Sequence, residues 1–195
     1  MRQSLILWFL VVAFFIGAAA AEEREERILH VLQQRLSKEK CDFVFVLLPS
    51  QQTHGEHKAT SILALEAVAR LPASQRPIIL GAQAGGGDPE PYTPLPEYPI
   101  TITDSAKPRF QFDRDTRFGY QKSLSYQIVV DWVIAEHKSQ GLFQTRCQQD
   151  RFENFWLFTA NRASATDKTE SLFTTVTPGP EDAKRIGISE TAKRH

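Results

Sequence analysis

The chain has 195 residues, with 23 basic and 23 acidic side chains and a formal net charge of zero. No basic stripe interleaved with aromatics runs through the segment following residue 21, so nucleic acid is excluded as a partner. Two cysteines are too few for a disulfide-dense scaffold, and the length after residue 21 suits one domain with its own hydrophobic core.

The first 21 residues read as an address. Arg2 supplies a positive charge, Leu5 to Ile16 is an unbroken apolar run, and Gly17 with four alanines leads into Glu22. That is the order of a secretory signal peptide, with cleavage expected before Glu22. The alternative is an uncleaved anchor, because Leu5–Ala21 is ~17 residues, at the lower limit for spanning a bilayer. Either reading exports residues 22–195, to the periplasm or extracellular space, and contact with a membrane is then expected only through residues 5–21, if they are retained.

Residues 22–40 place Ile28, Leu29, Val31, Leu32 and Leu36 on one broad face, with acids first and Lys38 and Lys40 last, which predicts an amphipathic helix aligned with its own dipole. Phe43 to Leu48 is an apolar run closed by Pro49, the pattern of a strand buried on both faces. Ser50–Gly55 is a polar loop, and Glu56–Leu71 is helical in its spacing until Pro72. Residues 76–80 supply a second strand, so 43–80 predicts a parallel βαβ unit.

Gly81–Pro99 is dense in glycine and proline and is expected to be a long exposed loop. Ile100–Thr103 is a third strand candidate, with Arg109–Phe112 extending it or pairing beside it. Tyr126–Ile134 carries the strongest strand signal, being rich in β-branched and aromatic residues. Residues 148–162 fit helix or strand, and the cluster Phe152, Phe155, Trp156 and Phe158 favours a helix beginning near Asp150 with an aromatic face on the sheet. Residues 163–195 turn polar and read as a loosely ordered tail. The expected architecture is an α/β sandwich of two or three layers, with a mainly parallel central sheet flanked by helices in a single domain over 22–162.

The candidate ligand-binding residues are Ser50, Thr53, His54, Glu56 and His57, in a loop at the carboxyl end of a predicted parallel strand that also opens a helix. Ser50 to Thr53 serve equally well as helix caps. H-G-E-H matches neither H-E-x-x-H nor H-x-x-E-H, so no metal is assigned. Gly85-Gly86-Gly87 is followed by Pro89, Pro91, Pro94 and Pro96 where a dinucleotide fingerprint needs a helix, and no cofactor is assigned. Cys41 and Cys147, about a hundred residues apart, are a disulfide candidate worth ~4–5 kcal/mol in the loop-entropy model.

The order of FVFVLL, PSQQTHGEH, a long helix, RPIILG, a later segment EYPITITDSAKPRFQF and SYQIVVDW resembles the thioredoxin-like superfamily over about half the chain. Gln51 to Gly55 stand where that family keeps its redox cysteines, and Ser123-Leu124-Ser125 where it keeps a cis-proline. The resemblance implies a redox-inactive member acting as a binding or scaffolding component of the cell envelope, in the manner of accessory parts of secretion or conjugation machines. Its partner would be another envelope or extracellular protein, met first through loop 88–99 or the cluster 152–158. The rival reading is an exported enzyme using the Ser50–His57 loop with Asp104 or Asp131; a third is a flavodoxin-like binder with an anion at the helix start.

Overall fold

The computed structural model describes residues 22–136 and 150–176. The targeting segment, Cys147 and residues 177–195 lie outside them. Helix α1 covers 22–39, and strand β1 (Phe43–Leu47), helix α2 (Gly55–Arg70) and strand β2 (Ile78–Gly85) follow. Next come β3 (Phe110–Asp113), the short pair β4 (Arg117–Phe118) and β5 (Leu124–Ser125), helix α3 (Tyr126–Glu136), strand β6 (Phe152–Leu157) and helix α4 (Ala165–Val176).

The protein is a mixed α/β structure whose four-stranded sheet has the order β1-β2-β6-β3. Strands β1 and β2 pair in parallel, as the βαβ pattern predicts, with Phe43 opposite Ile78 and Leu47 opposite Ala82. The rest of the sheet is antiparallel, β6 lying between β2 and β3. The expectation of a mainly parallel sheet is therefore corrected, and the cause is the element that fills its centre. Residues 152–157 form a central strand, not a helix, and Trp156, Leu157 and Phe158 are buried. Successive side chains of a strand face opposite sides, so Asn154 and Trp156 serve one face and Phe155 and Leu157 the other.

One face carries Leu48, Ile79, Trp156 and Phe158 against Leu65 and Val68 of α2, with Tyr92 completing the cluster and Leu36 of α1 packing at its margin. The opposite face carries Ile78, Leu80 and Leu157 against Ala165. There Phe173 of α4 stacks on Phe110 with ring centroids 5.1 Å apart and meets Phe155 edge-on at 4.9 Å. The tail expectation thus fails for 165–176, where this apolar contact holds a helix. Phe45 and Leu47 on the edge strand β1 stay about half exposed.

Two further elements differ from their local propensity. Tyr126–Glu136 is a helix despite its β-branched residues, with Gln127 Nε2 donating to Asp131 Oδ1 one turn on at 2.9 Å and the Tyr126 ring packed on Phe118 at 4.5 Å. β-propensity measures fit to a half-buried pleated surface, and Trp132 and Val133 are exposed on this helix. Residues 99–101 make one 3₁₀ turn, and of the predicted strand only Thr103 keeps a bridge, to Phe158.

At Gly81 a Cβ would lie 2.6 Å from Leu48 Cδ1 and 2.9 Å from Phe158 Cζ, both buried side chains. Gly81→Ala is expected to destabilise by ~1–3 kcal/mol through overpacking; an unchanged urea midpoint would contradict this packing. Cys41 is exposed.

Candidate functional site

The chain leaves the sheet differently at the ends of its two parallel strands. β1 stops at Leu47, Leu48 N donates to Ala82 O at 2.9 Å, and Pro49 then turns the backbone away. β2 continues to Gly85, held on its other side by β6, with Gln83 opposite Asn154 and Gly85 opposite Phe152. Strand backbone groups alternate sides. Ile78 N–H and Ala82 C=O point toward β1, and the same parity sends the Ala84 N–H and C=O to that side, beyond the point where β1 ends. No backbone or side-chain hydrogen bond takes them among the described residues.

This open edge lies in a groove of about 460 Å³, lined by Ser50–Gln52, by Gln83–Gly86, by Pro89–Thr93 and by Asn154. The Ser50–Thr53 turn is closed upon itself. Thr53 Oγ1 donates to Leu48 O at 2.7 Å and accepts the Ser50 N–H at 3.0 Å, while the two hydroxyl oxygens lie 3.0 Å apart. Lys58 Nζ reaches back to Gln51 O at 3.3 Å. The turn is thereby rigid, with the Gln51 and Gln52 side chains outward and exposed.

The facing segment is anchored by Tyr92. Its ring is buried in the core, and its hydroxyl stands 3.0 Å from Pro49 O and 3.1 Å from Thr101 O, so its one proton is shared between two carbonyls. Burial raises the pKa of this phenol above the ordinary tyrosine value, partly offset by the Thr101 contact. Thr101 Oγ1 accepts Leu95 N–H at 3.0 Å and donates to Tyr98 O at 2.7 Å. The glycine- and proline-rich stretch thus begins as strand β2 and continues from Gly86 as the largely exposed irregular segment that its composition suggests, anchored in the core by Tyr92 and Leu95.

Asn154, fully buried, ties the groove to the sheet: its Oδ1 accepts from Gln111 Nε2 at 2.8 Å and its Nδ2 donates to Gly86 O at 3.2 Å. Gln111 Nε2 also donates to Gly87 O at 2.7 Å. Gln83 sits in the same cross-strand row but is exposed to the groove. Among the lining residues Glu90 carries the one charge.

Of the sequence-predicted residues, Ser50 lines the groove and Thr53 braces it from behind. His54, just before α2, and Glu56 and His57, on its first turn, are exposed and do not line the groove, the two imidazole centroids standing 6.3 Å apart. His54 is the N-cap residue and its side chain makes no capping bond, so neither Ser50 nor Thr53 is the cap. Asp104 pairs with Arg109 at 3.4 Å and Asp131 accepts from Gln127, so neither is directed at the histidines. No group of three metal-ligating side chains occurs among the described residues. The groove residues that sequence reasoning missed are Gln83, Ala84, Asn154 and the backbone of Gly85 and Gly86. Their residue types carry no signal, because Gln83–Gly85 is a strand only through its pairing with β6.

A second polar cluster braces the far end of β6. Arg114, 3% exposed, gives its Nε to Glu153 Oε1 at 2.9 Å, places Nη2 on the same oxygen, and donates Nη1 to Asp150 O at 2.9 Å. Beside it Arg151 bonds Asp113 through Nε at 3.0 Å and Nη2 at 2.5 Å, and that guanidinium holds the Asp113 carboxyl below the usual carboxylate range. These pairs fix β3 to β6 and lie outside the groove.

No family model, curated protein or solved structure matches the chain.

Proposed function

We propose that this chain is an exported, non-catalytic binding module, and that its groove takes an extended peptide segment of another envelope or extracellular protein. The observation that carries the reading is the unpaired Ala84 N–H and C=O where β1 has turned away. A peptide strand entering in line with β1 would add itself to β2, the backbone supplying affinity and side-chain contacts supplying selectivity. Gln51, Gln52 and Gln83 offer uncharged donors and acceptors to such a segment, and the absence of a cation among the lining residues argues for a neutral polar ligand over an anionic one. The outer edge of β1 serves this purpose less well, because the Ser61 hydroxyl already holds the Leu47 carbonyl at 2.7 Å and the concavity lies at β2.

Support for export comes from residues 1–21, whose pattern is that of a signal segment. In an oxidising compartment Cys41 would be a partner for Cys147. The enzyme reading has less support, since the imidazoles, carboxylates and hydroxyls it needs do not meet in one pocket.

The test is selection of a phage-displayed dodecapeptide library on the purified protein, followed by titration of the enriched peptides. Ala84→Pro removes the outward N–H while leaving the hydrogen bonds from β2 to β6 in place, since Pro is tolerated where the N–H is not used by the ladder. The expected outcome is enrichment of peptides that the wild type binds at least tenfold more tightly than Ala84→Pro, with both proteins giving the same far-ultraviolet spectrum. Peptides that bind both proteins equally, or no enrichment, would overturn it.

A further inference from the structure

Helix α1 buries only part of its circumference. Leu29 is fully buried, Leu36 packs on the core, and Arg70 of α2 draws Glu26 to it at 2.8 Å. On the outward side Ile28 and Val31 are 46% and 55% exposed, two aliphatics in a surface that also presents Arg24 and Arg27. At ~100° per residue, Arg24, Arg27, Ile28, Val31, Arg35 and Lys38 fall within about 50° of one line along the helix. The acids at 22, 23, 25 and 26 lie about 90° or more from that line. Arg35 has a loose contact with Glu39 at 3.9 Å, both side chains being more than half exposed.

We infer that this stripe is a docking surface for an anionic lipid bilayer, with Ile28 and Val31 entering the headgroup boundary while the four cations meet lipid phosphates. Charge complementarity favours such a partner: basic side chains flanking exposed aliphatics on one helical face, in a chain whose overall charge is zero, form the polar and apolar halves of an interfacial helix. Continuity supports it, because the apolar run Leu5–Ile16 ends a few residues upstream, so a retained segment would deliver α1 to the bilayer surface. The helix is then more than a connector, and membrane contact extends past residue 21. This inference is independent of the groove, which lies at the ends of the parallel strands.

The test uses the full chain with Leu10→Asp and Phe14→Asp, which removes the affinity of the upstream run itself. Co-sedimentation is measured with vesicles of phosphatidylcholine alone and with three parts phosphatidylglycerol to seven of phosphatidylcholine. Binding at least tenfold stronger to the anionic vesicles is expected, falling at least tenfold in Arg24→Glu/Arg35→Glu/Lys38→Glu and also in Ile28→Ser/Val31→Ser, with Arg117→Glu unchanged. All substituted α1 positions are exposed, and circular dichroism verifies that each variant is folded. Equal binding to both vesicles, insensitivity to the charge reversals, or a dimer in vesicle-free sedimentation that Ile28→Ser/Val31→Ser dissolves would overturn the inference, the last assigning the stripe to a second copy of the chain.

Discussion

Trp156→Ala is expected to destabilise the protein by ~3–5 kcal/mol, the range for removing a large aromatic from a packed core. The indole is 1% exposed near the end of β6, an inner strand of the sheet, and belongs to the cluster that joins β1, β2 and α2. It has a second role that area alone does not capture. Trp156 Nε1 donates to Ala106 O at 3.1 Å, the same carbonyl that accepts the Tyr92 N–H at 2.8 Å, and the Tyr92 and Trp156 rings lie 6.4 Å apart. The residue therefore fastens the proline-rich segment to the sheet, and with it one wall of the groove. Trp156→Phe keeps most of the packing and loses the N–H donor, so a smaller cost of ~1 kcal/mol is expected. Urea unfolding of both variants checks the ordering; a Trp156→Ala cost below that of Trp156→Phe would contradict it.

Glu153→Ala is expected to cost ~2–3 kcal/mol, below the range for a wholly buried pair because the Glu153 side chain is 28% exposed while that of Arg114 is 3% exposed. The loss arises chiefly from the guanidinium that stays behind. Burying a charge without the carboxylate that faces it is costly, and the Asp150 carbonyl on Nη1, a dipole, does not replace that carboxylate. Changing Arg114→Met together with Glu153→Ala removes both charges, so the double variant is expected to be more stable than Glu153→Ala alone. Unfolding free energies that simply add would contradict coupling between the two side chains.

The sequence made the parallel unit over 43–80 legible because its three signals agree: an apolar run closed by proline, a helical repeat stopped by proline, and a second short apolar run. Beyond residue 80 local and tertiary preferences diverge. β2 runs on through Gly81 to Gly85 because β6 pairs with it there, and nothing within GAQAG itself announces a strand. The aromatic cluster at 152–158 fits either periodicity, and its place between β2 and β3 is a long-range outcome. Conversely, Tyr126–Glu136 has strand propensity without a place in the main sheet.

For the candidate site, the sequence reading pointed to the carboxyl end of β1, and one wall of the groove lies there. Of its five candidates Ser50 lines the groove and Thr53 braces it, whereas His54, Glu56 and His57 lie outside it, and the groove is built largely from amides and main chain. Ala84 has no functional side chain, so no residue-type argument could have found it. Asn154 was hidden by its aromatic neighbours, and its role depends on Gln111 and Gly86, 43 and 68 residues away in sequence.

Amide hydrogen exchange at Ala84, followed by NMR with and without a saturating peptide from the display selection, tests the central claim most directly. The account predicts that the peptide slows exchange of the Ala84 N–H at least tenfold, while Gln83 and Gly85, already paired to β6, change little. A peptide that binds yet leaves Ala84 exchange unaltered would contradict addition of a strand at this edge.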